Sequence, residues 1–312
     1  MSGWTIPLAR LTEKAKSKTS GRVYDSLMFR HWDQWKDGRR AHLFVQKLEG
    51  GTAVDITKKL NADAPTKPFG GSDEYTFTPD GKSVVFTMRE GGKAEAWSTD
   101  LDLFIAPVDG SKAPTKLTLE NRATDTAPAF SHDGKTLAYV AMKRPMYEAD
   151  RLQLILRNQA DGKTRSLTEK WDRSVEAFAW SQDDKTLFVA TEDVGQRAIY
   201  AIDATTGAQT RVTGEGNVSQ LDVAAGGLVY ALDSLKAPSD LFFSSVDGKT
   251  VKQLTQVNSE AMANIKLGEF EQFSFKGANN DTVYAYVVKP VDFDAKKKYP
   301  LAFLIHGGPQ GS

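Results

Sequence analysis

Three observations in the 312 residues predict a mainly β chain, an incomplete β-propeller of about four whole blades plus one partial blade. The first is a repeated hairpin sequence. Phe130-Ser-His-Asp-Gly-Lys-Thr-Leu-Ala-Tyr-Val140 returns as Phe77-Thr-Pro-Asp-Gly-Lys-Ser-Val-Val-Phe-Thr87 and as Trp180-Ser-Gln-Asp-Asp-Lys-Thr-Leu-Phe-Val-Ala190. A worn copy, Leu221 to Leu232, carries Ala225-Gly226-Gly227 where the others have Asp-Gly-Lys. Each copy joins an apolar strand end, a tight turn and a strand of β-branched and aromatic residues, which is a hairpin pattern. The second observation is a further hairpin after each copy: Leu103 to Thr118, Leu152 to Thr168, Ile199 to Thr213 and Leu241 to Thr255. An earlier one runs from Leu43 to Thr57. The third is the period, since these closing threonines stand 61, 50, 45 and 42 residues apart. Four strands per period make one blade. A generic β-sandwich shares such turns but gives no reason for them to repeat.

Composition narrows the classes. The 40 basic and 40 acidic residues balance, and no basic patch interleaved with aromatics points to nucleic acid. Without cysteine there is no disulfide framework, thiolate nucleophile or cysteine metal site, which suits either cytoplasm or periplasm. No apolar run is long enough to span a bilayer, so no membrane partner is expected. Met1 to Ser20 lacks the apolar segment of a signal peptide. There is no His-Glu-x-x-His pair and no phosphate loop, so no metal or cofactor is expected.

In chain order, residues 1–20 read as a polar lead-in within a truncated blade, with a charge run from Thr12 to Lys18 in a solvated loop. Val23 to Phe29 reads as a strand, and Arg30 to Arg40 is dense in aromatics and charge. Leu43 to Gln46 and Val54 to Thr57 close the partial blade. Whole blades follow over Tyr75–Thr118, Thr126–Thr168, Glu176–Thr213 and Val218–Thr255, so that 21–260 is propeller. Such a ring does not close comfortably, and open strand edges favour association between copies. From Ala261 the repeat stops. Phe273 to Gly277 and Val283 to Lys289 read as strands of a different layer, and the apolar run Leu301 to Ile305 as a strand buried on both faces. His306-Gly307-Gly308-Pro309 follows. Residues 261–312 are expected to be the start of a second domain, cut after this loop.

A Gly-Gly turn after a buried strand, with His before and Pro after, has the form of an oxyanion-hole loop in α/β-hydrolases. Glycine lets the backbone approach a reacting carbonyl and aim an amide N–H at its developing charge. Propeller and loop together resemble the prolyl oligopeptidase family of serine peptidases, close to bacterial dipeptidyl-peptidase V and acylaminoacyl-peptidase-like members. The resemblance rests on Tyr24-Asp-Ser-Leu-Met-Phe-Arg-His-Trp-Asp33, Tyr147-Glu-Ala-Asp-Arg151 and Asp172-Arg-Ser-Val175. It rests most specifically on Glu271-Gln-Phe-Ser-Phe-Lys-Gly277, Lys298-Tyr-Pro300 and His306-Gly-Gly-Pro-Gln-Gly311. It implies hydrolysis of short peptides at or near the N-terminus by a Ser-Asp-His triad. It also assigns Gly308, with Gly307 beside it, to the oxyanion hole, with His306 and Pro309 shaping the loop. No Gly-x-Ser-x-Gly elbow occurs in these residues, and His31, His42 and His132 sit in a loop, a strand start and a turn, so this stretch alone is expected to be inactive, its partner being its own hydrolase domain.

In a four-stranded blade the second turn and the blade-to-blade link share one face. Here those segments are long and individual: Arg30 to Arg40, Met88 to Asp102, Asn121 to Asp125, Met142 to Asp150 and Lys170 to Ser174. Divergent loops on a rigid scaffold are where function concentrates. Glu148 and Asp150 are candidates to hold a peptide amino terminus, Arg144 or Arg173 a carbonyl, and Trp32, Trp97 and Trp171 to line an entrance. Inter-blade ion pairs and packing aromatics are the plain alternative for each. Two other readings stay open, a non-catalytic propeller that binds proteins and a serine esterase with the same oxyanion loop.

Overall fold

The computed structural model describes residues 5–21, 30–31, 33–36, 38–89 and 92–305. Short antiparallel strands dominate it. Helix α1 (Thr5–Lys16) comes first, where the sequence reads as a loop. Leu, Ala, Arg, Glu and Lys are all good helix formers, Pro7 falls in the first turn where its missing N–H costs nothing, and Lys14 and Lys16 lie at the negative end of the dipole. A solvated charge run is no obstacle to a helix. The strand expected over Val23 to Phe29, the Trp32 position and the oxyanion loop at 306–309 lie outside the described residues.

Strand β1 (Arg30–His31) pairs with β2 (Gln34–Trp35), and β3 (Phe44–Val45) with β4 (Val54–Asp55). Three expected repeats then appear as four-stranded antiparallel meanders in chain order. They are β5 (Tyr75–Phe77), β6 (Ser83–Met88), β7 (Asp102–Pro107), β8 (Thr115–Lys116); β9 (Asp125–Phe130), β10 (Thr136–Ala141), β11 (Gln153–Asn158), β12 (Thr164–Ser166); and β13 (Ala177–Trp180), β14 (Thr186–Glu192), β15 (Arg197–Asp203), β16 (Gln209–Arg211). The fourth, β17 (Asn217–Ala224), β18 (Gly227–Ser234), β19 (Ala237–Ser245) and β20 (Val251–Gln253), joins the third through one parallel bridge, Arg197 to Asn217. Helix α2 (Ser259–Met262) leads to the hairpin of β21 (Phe270–Lys276) and β22 (Thr282–Val288), in register from Phe270–Val288 to Lys276–Thr282.

The repeated turn has one mechanism. The Thr78, Ser131, Ser181 and Ser245 hydroxyls donate to Asp80, Asp133, Asp183 and Asp247 two residues on, at 2.6–2.8 Å. Each hydroxyl oxygen also accepts the backbone N–H five residues on, at 2.9–3.0 Å. The next position needs a left-handed backbone, given by Gly81 (φ 67°), Gly134 (φ 70°) and Gly248 (φ 70°) and borne by Asp184 (φ 58°). In the last repeat the motif has moved from the β17–β18 turn to the β19–β20 turn.

The closing threonines have a shared task too. The Oγ1 atoms of Thr57, Thr118, Thr168, Thr213 and Thr255 accept the backbone N–H of Leu43, Leu103, Leu154, Ile199 and Leu241 at 2.8–3.1 Å. Each stitches the final strand of a meander to the one before it.

The chain divides into two compact units, Met1–Asp150 with Ile155–Arg165, and Arg151–Leu154 with Ser166–Ser312. The first holds two apolar clusters, one around Phe86, Met88 and Phe104, the other around Val85, Leu103, Leu137 and Tyr139. The second is centred on Phe188, Ile199, Val218, Leu228 and Tyr230. Alternating strands supply these side chains. The run Leu301 to Ile305 departs from expectation. It forms no strand, and Leu301, Phe303, Leu304 and Ile305 are 76–90% exposed. A strand buried on both faces needs a neighbour on each side, and none stands beside this run among the described residues.

Candidate functional site

In the first unit, loop 142–150 is folded on itself. Asp150 Oδ2 accepts the backbone N–H groups of Lys143 (2.8 Å) and Arg144 (2.6 Å), and the Arg144 guanidinium lies 4.0 Å from the Tyr147 ring centroid. The Met146 amide donates to Thr99 Oγ1 at 2.7 Å, tying this loop to segment 92–101. Arg89 donates to the Glu95 carbonyl at 3.2 Å. Burial pulls the Arg89 guanidinium below its ordinary pKa, while the charges of Glu95, Glu148 and Glu74 oppose the fall. Glu148 therefore faces a buried cation. Thus Arg144, Glu148 and Asp150 do come together, on one loop, with Asp150 holding its shape. Trp97 stands half-exposed on the adjoining loop.

Beside them is a network that sequence reading missed. Lys36 Nζ donates to Asp63 Oδ2 (2.7 Å) and Glu95 Oε1 (2.9 Å). Arg40 grips Glu95 with two nitrogens (2.6 and 2.7 Å) and reaches Asp63 Oδ2 at 2.9 Å, while the Ala41 amide donates to Asp63 Oδ1 at 2.7 Å. Burial works to raise the Asp63 and Glu95 carboxyls, but their hydrogen bonds outweigh it and hold both below the usual carboxylate range. The network fastens the basic segment after β2 to segment 92–101. His42 Nδ1 meets Asp55 Oδ2 at 2.9 Å, a pair that closes the β3–β4 hairpin.

In the second unit Arg173 is committed to carboxylates, Asp172 at 2.8 Å and Asp193 at 2.8 Å. Asp193 also receives the Tyr200 hydroxyl (2.8 Å) and Arg211 (2.9 Å), and Trp171 packs edge-on against Tyr200, 5.0 Å between centroids. This cluster braces the β14–β15 turn, where Val194 (φ 53°) and Gly195 (φ 75°) are both left-handed. Gln272 Nε2 donates to the Val194 carbonyl at 2.6 Å and the Tyr286 hydroxyl to that of Gly195 at 3.5 Å, so the β21–β22 hairpin sits on the turn.

A groove of about 560 Å³ opens between that turn, the link at 214–217, the β18–β19 turn and the hairpin. Leu235, Phe270 and Tyr286 give it apolar and aromatic walls, and Glu192, Glu215 and Asp233 line it with acid. Its lysine, Lys236, is engaged by Glu269 (2.8 Å) and the Gly268 carbonyl (3.0 Å). Asp233 accepts from Asn217 at 3.2 Å. Glu215 has no partner among the described residues. Such a surface suits a cationic or amino-terminal group with an apolar neighbour. Among the described residues no cluster of His, Cys, Asp and Glu could hold a metal ion, and no helix is long and apolar enough to cross a membrane.

No protein-family model matches the chain. It is 32% identical over 331 residues to the "probable dipeptidyl-peptidase 5" of Aspergillus clavatus, an alignment covering 95% of this chain and 44% of that protein. The chain thus spans less than half the length of the curated relatives it matches. Among solved structures, the Pyrococcus horikoshii acylaminoacyl peptidase is similar with TM-score 0.64 at 16% identity, over 91% of this chain and 42% of that one. The putative TolB of Agrobacterium tumefaciens reaches TM-score 0.53 at 15% identity, over 69% and 74%. At such identities the two structures bear on the fold alone, while the sequence relatives reach across nearly the whole chain. Over nearly its whole length the chain thus resembles the prolyl oligopeptidase family of serine peptidases.

Proposed function

We propose that these 312 residues are the substrate-selecting part of a serine peptidase that cleaves short peptides at or near their amino terminus. The observation that carries the reading is the 32% identity, across 95% of the chain, to a protein named as a dipeptidyl-peptidase. In this reading the four meanders and the β3–β4 hairpin are blades of a propeller, and 261–312 opens an α/β-hydrolase domain. The Gly308 amide, with Gly307 beside it, donates to the carbonyl oxygen as it becomes an oxyanion, and His306 and Pro309 shape that loop. A single such donor is worth about 100- to 1000-fold in rate. Nucleophile, base and acid come from residues outside these 312, which contain no Gly-x-Ser-x-Gly.

Binding falls to the acidic groove and the candidate loops. Within the groove a substrate ammonium is drawn by Glu215 and Asp233 over the Phe270 and Tyr286 walls; in the first unit, Glu148 and Asp150 of loop 142–150 are a separate candidate pair for that group. Arg144 meets a substrate carbonyl, whereas Arg173 is taken up by Asp172 and Asp193, and Trp32 lines the entrance. Hydrolysis of dipeptidyl, acylaminoacyl and simple ester substrates by the protein expressed in its complete reading frame tests the proposal. Release of dipeptides from free-amino peptides is expected. Ester cleavage alone would make it an esterase, and no hydrolysis at all would leave a protein-binding propeller.

A further inference from the structure

Asp125 opens β9 with only 1% of its surface exposed. Its Oδ1 accepts from Asn121 Nδ2 at 2.9 Å, while its Oδ2 is buried without a hydrogen-bond partner. The groups around it are mostly acidic. From β7 comes Asp102, itself 2% exposed, its charge met by Lys116 of β8 at 2.7 Å and by the Thr118 hydroxyl at 3.2 Å. Just before β7 lies Asp100, which pairs with the exposed Arg122 at 3.4 Å and has a second buried oxygen, Oδ1, without a partner. From β10 comes Tyr139, 5% exposed, with Arg157 of β11 acting on it from further off. No cation directly faces Asp125 among these groups. A carboxylate so placed costs far more than a neutral acid.

The same few residues carry the bonds that join β7 to β9. The Asp125 amide donates to the Leu101 carbonyl (2.7 Å), and the Thr124 hydroxyl to the Thr99 carbonyl (2.8 Å). Asn121 Nδ2 reaches the Met142 carbonyl at 3.0 Å, and the Met142 amide donates to the Thr124 carbonyl at 2.8 Å. Thr99 then accepts the Met146 amide. Segments 92–101 and 142–150 both hang from this seam.

We propose that the seam between β7 and β9 is a proton-operated latch: Asp125 carries a proton on Oδ2 when the seam is closed, and losing it loosens segments 92–101 and 142–150. Burial first, and then the charges of Asp102 and Asp100, push the Asp125 carboxyl up to about 7, against the hydrogen bond of Asn121 and the nearby Thr118 hydroxyl. The folded chain therefore keeps a proton that the unfolded chain releases near pH 4. The stability this proton confers is fully present below pH ~4, declines as pH rises towards ~7 and is gone above it.

Urea unfolding of the 312-residue chain and of its Asp125→Asn variant, from pH 4 to pH 8, tests the latch without reference to peptidase activity. Asparagine matches the neutral acid in shape and cannot ionise. The unfolding constant of the parent relative to the variant is expected to rise on the order of a thousandfold across that range, tenfold per unit of pKa displacement. Amides of loop 142–150 should exchange faster in the parent than in the variant at pH 8. A ratio that stays constant with pH overturns the proposal. Should the variant not fold, the carboxyl carbon of Asp125 in the ¹³C-aspartate-labelled parent decides. A titration midpoint near 7 sustains the latch, and one near 4 ends it.

Discussion

A threonine hydroxyl at the end of each meander shows how single residues hold this chain. Thr168 is fully buried, and its Oγ1 is the acceptor for the Leu154 amide at 2.9 Å. Valine keeps the shape and removes the acceptor, so Thr168→Val should cost about 1–3 kcal/mol, the penalty for a buried amide left unpaired. Urea unfolding measures it, and a loss below ~0.3 kcal/mol would show the stitch to be incidental. Val194 works against its own turn. A β-branched residue at φ 53° strains the backbone, and the strain is held by Asp193 on one side and Gln272 on the other. Val194→Gly relieves about 1–2 kcal/mol of left-handed strain and gives back up to ~1 in backbone entropy, for a net gain of about 0.5–1 kcal/mol. A higher midpoint in thermal unfolding is the expected result.

At the scale of elements, the hairpins were legible because their information is local. Ser or Thr, then Asp two residues on, then a left-handed position spells the turn, and the strands beside it alternate as a sheet requires. Ser181→Ala breaks that spelling in the β13–β14 turn, removing the acceptor for the Thr186 amide (2.9 Å) and the donor to Asp183 (2.7 Å). A loss of about 1–2 kcal/mol is expected, with faster exchange of the Thr186 amide. Elements without a local code were not legible. Helix α1 was hidden by its charge, which patterning reads as loop although, Thr12 apart, the residues from Leu8 onward favour a helix. Leu301 to Ile305 misled in the other direction, because apolarity announces a wish for burial and cannot name the neighbour that grants it. The candidate loop 142–150 was found from its length, and Asp150 proved to be its internal brace.

At the scale of the whole molecule, the groove escaped sequence reading because its parts are far apart. Glu192, Glu215, Asp233 and Phe270 converge only when two meanders and the β21–β22 hairpin are in place. No spacing rule connects them. If the groove receives the substrate ammonium, Glu215→Gln in the complete protein should raise KM for free-amino peptides about fivefold, the ~1 kcal/mol of an exposed ion pair. kcat and the KM of acyl-blocked peptides should be unchanged. An equal effect on both substrates would remove Glu215 from recognition.

The stitched ends of the meanders bear on how such a chain survives at high concentration. Strands β8, β12, β16 and β20 lie at the margins of their sheets and run only two or three residues. Just past each, a threonine side chain turns its bonding back onto the strand inside it. A β-rich protein is most at risk of clumping along unfinished margins. Here each margin is so short that it leaves a passing molecule little ladder to extend.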